Sequence, residues 1–97
     1  AKMDLDFLGE VKAISKNIGA VLIFDEVSSG FRIPPGGMHM IGGIYPDMLV
    51  LGKALGNGYP ISCVIGTHDV MQAAQTTFIS STYCTERTGF VSALETI

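Results

Sequence analysis

The chain has 97 residues, 47% of them hydrophobic and 15% charged, with a net charge of −3 and a mean hydropathy of +0.41. That is too apolar for a disordered segment, and unusually apolar for a small domain standing alone, which buries only part of its surface. With no basic run, no stretch near the ~20 apolar residues of a membrane span and no cationic start leading into an apolar core, the composition argues against nucleic acid, membrane and secretion, and the expected setting is cytoplasmic.

From Asp4 to Ile18, the apolar residues Leu5, Leu8, Val11, Ile14 and Ile18 recur at intervals of three or four, the spacing of one helix face. Asp4 or Asp6 can cap the start, and Gly19 suits the position just past the end. Ala20 to Phe24 is apolar without alternation, which predicts a parallel strand covered on both faces, and a helix leading into such a strand suggests an α/β unit. Ser28 to Pro46 holds five glycines outside any period, together with Pro34, Pro35 and Pro46. It reads as a long loop rather than a helix, and loops of that length in compact domains are usually functional. A second strand is predicted over Met48–Leu51 and a third over Ile61–Ile65. The nine residues between them are too few for a parallel crossover, so the third strand is expected to run antiparallel. A short helix should begin at Thr67 or His68 and run through Ala74. Gln75 to Arg87 reads as a polar loop, and Thr88 to Ile97 as a further helix. The chain opens on Ala1 and stops inside that helix without a stop signal. Residues 1–97 are therefore expected to be one partial domain of a longer protein. Cys63 and Cys84 are isolated and read as reduced thiols, and the single His39 and His68 suggest no metal site.

Asp25 and Lys53 each lie just past an apolar run. Ligands of parallel α/β sheets sit beyond the carboxyl ends of the strands. If the two strands are close neighbours, a carboxylate and an amine there can flank one planar ligand. On spacing alone, the same residues also read as a local cap and a solvated lysine.

The words around them narrow the choice. Phe24-Asp25-Glu26-Val27, Gly30-Phe31-Arg32, Pro46-Asp47, Leu51-Gly52-Lys53-Ala54-Leu55-Gly56, Gly58-Tyr59-Pro60-Ile61 and Ile65-Gly66 occur in that order. Together they resemble the class III pyridoxal-phosphate-dependent aminotransferases, with the closest look to the glutamate-1-semialdehyde aminomutase-like branch. The resemblance runs over nearly the whole chain. It implies part of the large domain of a fold-type I transferase: an α/β architecture with a mostly parallel sheet, one antiparallel strand and flanking helices. The family's upstream phosphate loop and C-terminal small domain lie outside this window.

The resemblance also implies roles. Lys53 looks like the Schiff-base lysine that later moves a proton as a general acid–base group. Asp25 looks like the partner of the pyridine nitrogen, which keeps the ring an electron sink. Val27 looks like an aliphatic contact on one ring face, with plain core packing as its alternative. Thr82, helped by Ser81, matches a threonine that binds the cofactor phosphate of the neighbouring subunit, which implies a homodimer; an ordinary loop before a helix is the alternative. The family often continues that threonine with Ser-Gly-Asn-Pro. This chain has Cys84-Thr85-Glu86-Arg87, which weakens the phosphate role. Glu26 and Arg32 read as structural polar residues, and Tyr45, Tyr59 and Tyr83 as packing residues, with an approach to the cofactor as the alternative. The implied activity is transfer of an amino group between small-molecule substrates, as aminotransferase or 2,1-aminomutase. The competing expectation is a non-catalytic fragment or an interaction module that keeps part of the fold. Residues 1–97 by themselves are expected to be inactive.

Overall fold

The computed structural model describes residues 3–33 and 35–97, so the loop expected at Pro34 lies in part outside the described residues. Helix α1 spans Leu5–Asn17. The Asp4 side chain caps it by accepting from the Phe7 N–H at 3.0 Å, and Gly19 just beyond its end takes a left-handed φ of +68°. The cap and the stop both follow the sequence reading.

Strand β1 is Ile23–Asp25, β2 is Met48–Leu51 and β3 is Cys63–Gly66. β1 and β2 pair in parallel, and β2 and β3 antiparallel, giving a mixed sheet in the order β1-β2-β3. The antiparallel turn-back is the one the short connection predicts. β1 starts three residues later than the apolar run. Asp47 takes over there: its carboxylate accepts from the Leu22 N–H at 2.9 Å, and its own N–H donates to the Leu22 carbonyl at 2.9 Å. The partner strand begins only after this clasp.

The register sets the two faces of the sheet, because paired residues point to the same side. Phe24, Leu49, Leu51, Cys63 and Ile65 share one face. Leu49 and Leu51 are buried there with Leu55 and Ala93, and Phe24, Phe31, Ile61 and Cys63 pack against them. Each buried leucine contributes about 2 kcal/mol through the area it removes from water. Ala93 belongs to α4, Arg87–Thr96. That helix packs close because Gly89 meets Ile61, where an added Cβ would lie 3.1 Å from the Ile61 Cβ. Ser92 adds a hydrogen bond to the Gly56 carbonyl at 2.6 Å. The opposite face carries Ile23, Asp25, Met48, Val50 and Val64. It is open, with Ile23 52% exposed. β1 is thus covered on one face only within these residues, where the sequence predicts cover on both.

Two loops hold short helices. α2, His39–Gly42, is a single turn inside the segment expected to be all loop. Its cause is the buried Glu26 carboxylate, which accepts the N–H groups of Met38 and His39, while Gly43 ends the turn in a left-handed conformation. α3, His68–Met71, passes into a 3-10 turn over Gln72–Gln75, close to the predicted extent.

Candidate active site

Because β1 and β2 are parallel neighbours, their carboxyl ends share one edge of the sheet. Asp25 is the last residue of β1, and Lys53 follows β2 after Gly52. Lys53 opens a single 3-10 turn, Lys53–Leu55, with a left-handed φ of +42°. A non-glycine residue there is uncommon and costs on the order of 1–3 kcal/mol, and such residues cluster at functional sites. The turn holds it: the Lys53 carbonyl accepts from the N–H groups of Gly56 and Asn57, both at 3.1 Å.

Residues after Asp25 form a tight turn directed at Lys53. The Gly30 N–H closes it on the Glu26 carbonyl at 2.8 Å. A Cβ at Gly30 would lie 2.6 Å from the Leu51 side chain and 2.9 Å from the Glu26 carbonyl, so the turn admits only glycine there. Val27 lies over Gly52, where an added Cβ would sit 3.4 Å from its Cγ1. The Lys53 Nζ donates to the Ser28 hydroxyl. The Asp25 Oδ1 accepts from the Val27 N–H at 3.0 Å, its one hydrogen bond among the described residues. Val27, Ser28 and Lys53 therefore meet at one corner of the sheet, with Asp25 at the base of the same turn.

Glu26 turns the other way. It is 5% exposed. It accepts from the Ser29 hydroxyl at 3.0 Å, the Met38 N–H at 2.6 Å and the His39 N–H at 2.9 Å, and pairs with the His39 Nδ1 at 2.7 Å. Burial alone would raise its carboxyl above the ordinary value, but the hydrogen bonds from the His39 backbone and ring, Met38 and Ser29 outweigh it and hold the group below that value. Glu26 is structural, as the sequence suggests. Its partner His39, which also packs edge-on against Tyr45 at 6.0 Å, carried no signal in the sequence.

Lys53 lines an open groove of about 530 Å³ with Arg32, Asn57 and Tyr59. Asp25 lines a different hollow of about 250 Å³, beside Leu8, Phe24 and Met38. The two side chains share an edge but open into separate spaces, linked through the 26–30 turn. Tyr45, Tyr59 and Tyr83 are each more than half exposed; Tyr45 packs against His39 and Tyr59 lines the Lys53 groove. Ser81 and Thr82 lie in a fully exposed loop, and no hydrogen bond among the described residues joins them to the Asp25–Lys53 corner. The Ser28 contact was missed in the sequence, because a serine three residues past a strand-end aspartate has no distinctive spacing.

Residues 2–97 match the family Aminotransferase class-III. The chain belongs to the class III aminotransferases. Relatives within the family include a 3-aminobutyryl-CoA aminotransferase from Cloacimonas acidaminovorans, 39% identical over 94% of this chain and 22% of that protein. A glutamate-1-semialdehyde 2,1-aminomutase from Pyrobaculum arsenaticum is 47% identical over 70% of this chain and 16% of that protein. Among solved structures, the PLP internal aldimine form of the FumI protein from Sphingopyxis sp. MTA144 superposes with a TM-score of 0.91 at 31% identity, over 99% of this chain and 23% of that one. The chain thus spans less than a quarter of the length of each. The match to transaminase structures makes the fold that of a fold-type I large domain, of which these residues form a small α/β part with a mixed sheet.

Class III aminotransferases depend on pyridoxal 5'-phosphate. The residues of the strand-edge corner fit that group chemically. Asp25 is exposed and makes one hydrogen bond among the described residues, which leaves its carboxylate able to accept from a ring N–H. Lys53 has no carboxylate partner among them, and its amine contacts only a hydroxyl. Val27 offers an aliphatic surface against Gly52, the residue before Lys53.

Proposed function

We propose that residues 1–97 are part of the large, cofactor-binding domain of a longer enzyme that transfers an amino group between small molecules. The enzyme acts as an aminotransferase or a 2,1-aminomutase. The observation that carries this reading is the parallel pairing of β1 with β2, which brings the Asp25 end of one strand beside the Gly52-Lys53 end of the other. When bound, pyridoxal phosphate supplies an aldehyde for covalent attachment and a ring that withdraws electrons from a substrate carbon.

The chain's own residues divide the remaining work. Lys53 holds the cofactor covalently and, once displaced by a substrate amine, carries a proton as a general acid–base group. Asp25 accepts from the ring nitrogen and keeps it protonated, a charge-assisted pair. Val27 packs on one ring face. Ser81 and Thr82 reach the cofactor phosphate of a second subunit, so the working form is a homodimer. Among the described residues no helix is long and apolar enough to cross a membrane; the cytoplasmic setting is part of the proposal and rests on the sequence alone. Both kinds of amino transfer use Lys53 and Asp25, and relatives of both kinds occur.

The test is borohydride reduction of the full-length protein loaded with pyridoxal phosphate, followed by peptide mass mapping. The expected label is on Lys53, and a label on another lysine overturns the assignment. Dependence of turnover on a second, amino-accepting substrate then separates transaminase from mutase.

A further inference from the structure

We infer that Ser28 is a positioning residue for the Lys53 amine; this rests on the reading of Lys53 as the lysine that holds the cofactor. Lys53 is fixed at both ends. Its backbone is locked by the two hydrogen bonds to its carbonyl at a left-handed φ of +42°. Its tip donates to the Ser28 hydroxyl, from a residue 25 positions earlier in the chain. A lysine side chain with four rotatable carbons otherwise samples many rotamers, and directing it at one point carries an entropic cost. Ser28 supplies that direction from a rigid base. Its turn is closed by the Gly30 N–H on the Glu26 carbonyl. The turn is pinned to β2 by the Glu26 N–H on the Val50 carbonyl at 2.9 Å, and to the following loop through the Glu26 carboxylate.

A hydroxyl suits this task in both protonation states of the amine. It accepts from an ammonium N–H, and it can donate its O–H to the lone pair of a neutral amine. Ser28 therefore holds the nitrogen at the 26–30 turn, next to Val27 in sequence, whichever form is present. When the amine adds to the cofactor aldehyde, nitrogen bonds to the carbonyl carbon and the carbonyl oxygen leaves as water with the two amine protons. Ser28 contributes no atom to that exchange. It raises the fraction of time the nitrogen spends in reach, the advantage that orientation confers.

The experiment uses the full-length protein freed of cofactor. Pyridoxal phosphate is added, samples are quenched with borohydride at intervals, and label on the Lys53 peptide is measured by mass spectrometry for wild type, Ser28→Ala and Ser28→Thr. The alanine variant is expected to load on the order of tenfold more slowly, the worth of one hydrogen bond, yet to reach full labelling. The threonine variant, which keeps the hydroxyl, should regain a rate within about twofold of wild type. In steady state, kcat should fall in Ser28→Ala with KM for the amino donor little changed. Loading of Ser28→Ala at the wild-type rate, or a threonine variant as slow as alanine, overturns the role of Ser28. A wild-type protein unlabelled at Lys53 instead overturns the cofactor assignment itself, so the two failures are distinct.

Discussion

The strand-edge corner and the loop over residues 76–86 carry the two halves of the proposed site, and they are built in opposite ways. At the corner, Asp25, Val27, Ser28 and Lys53 are brought together by sheet register, a glycine-dependent turn and a buried carboxylate. In the loop every residue is exposed, and Phe78 is 92% exposed. Ser81 has only local bonds there: its hydroxyl accepts from the Tyr83 N–H at 3.3 Å and its carbonyl from the Cys84 N–H at 3.2 Å. A group that must be aimed to a fraction of an ångström needs a rigid support within its own chain. A group that serves a neighbouring subunit can be left open until that neighbour covers it. The corner is thus preorganised within these residues, whereas on the proposed reading the loop is completed by a second subunit.

The strongest way to break this comparison is at Lys53. Lys53→Ala in the full-length protein should lose amino transfer by on the order of 10,000-fold, the upper range for an acid–base group that also bonds covalently. Activity within tenfold of wild type would show that the corner is not the site. Asp25→Asn is expected to cost on the order of 100-fold in kcat with cofactor still bound, because an amide cannot hold the ring nitrogen protonated. Near-normal turnover would make Asp25 a local cap of the Val27 N–H and nothing more.

Glu26 tests the support rather than the chemistry. Glu26→Gln replaces a carboxylate that accepts from several N–H groups with an amide that has only one acceptor oxygen, and should destabilise the fold by about 1–3 kcal/mol. The wild-type contribution has a defined pH window. The Glu26 carboxyl lies below its ordinary value of 4.5 in the folded chain, so its stabilisation is complete above that value. It is lost as pH falls through the lowered folded one. Thermal melts of wild type between neutral and acid pH should steepen in that range, and Glu26→Gln should flatten the acid limb. A variant melting with the wild-type acid dependence would assign it to another carboxylate.

The same contrast explains what could be read from the chain alone. Apolar periodicity and turn chemistry are local, and they gave α1 with its Asp4 cap, the three strands and the antiparallel return of β3. The positions of Asp25 and Lys53 at one sheet edge were legible because each follows an apolar run, and strand ends have a fixed meaning in a parallel sheet. The Glu26–His39 clamp and the Ser28–Lys53 contact were not. Both join residues 13 or more apart across loops, where no period links sequence position to spatial position. The one-turn helix His39–Gly42 was missed for the same reason: its first N–H groups are satisfied by a carboxylate from another segment. Cover on both faces of β1 was overestimated because an apolar run reports what a strand must bury, and part of that cover is not among these residues.

Thr82→Ala carries the smallest expected effect and sharpens the comparison most finely. The Thr82 hydroxyl makes no hydrogen bond among the described residues and the residue is exposed, so the substitution should change melting of the cofactor-free protein by no more than about 0.5 kcal/mol. If Thr82 reaches the phosphate of a second subunit, loss of one hydrogen bond to a charged group should weaken cofactor binding in the dimer by about tenfold. The effect should depend on assembly, because the loop and the phosphate it meets belong to different subunits. Titrating cofactor across protein concentrations that span dimer dissociation separates the cases. Wild type should lose its advantage over Thr82→Ala as the dimer comes apart, whereas the Asp25→Asn defect should persist, since Asp25 ends β1 and Lys53 follows the adjacent strand β2 in one chain. A Thr82→Ala defect that survived full dissociation would place the phosphate contact within a single subunit and remove the division between a preorganised corner and an assembly-dependent loop.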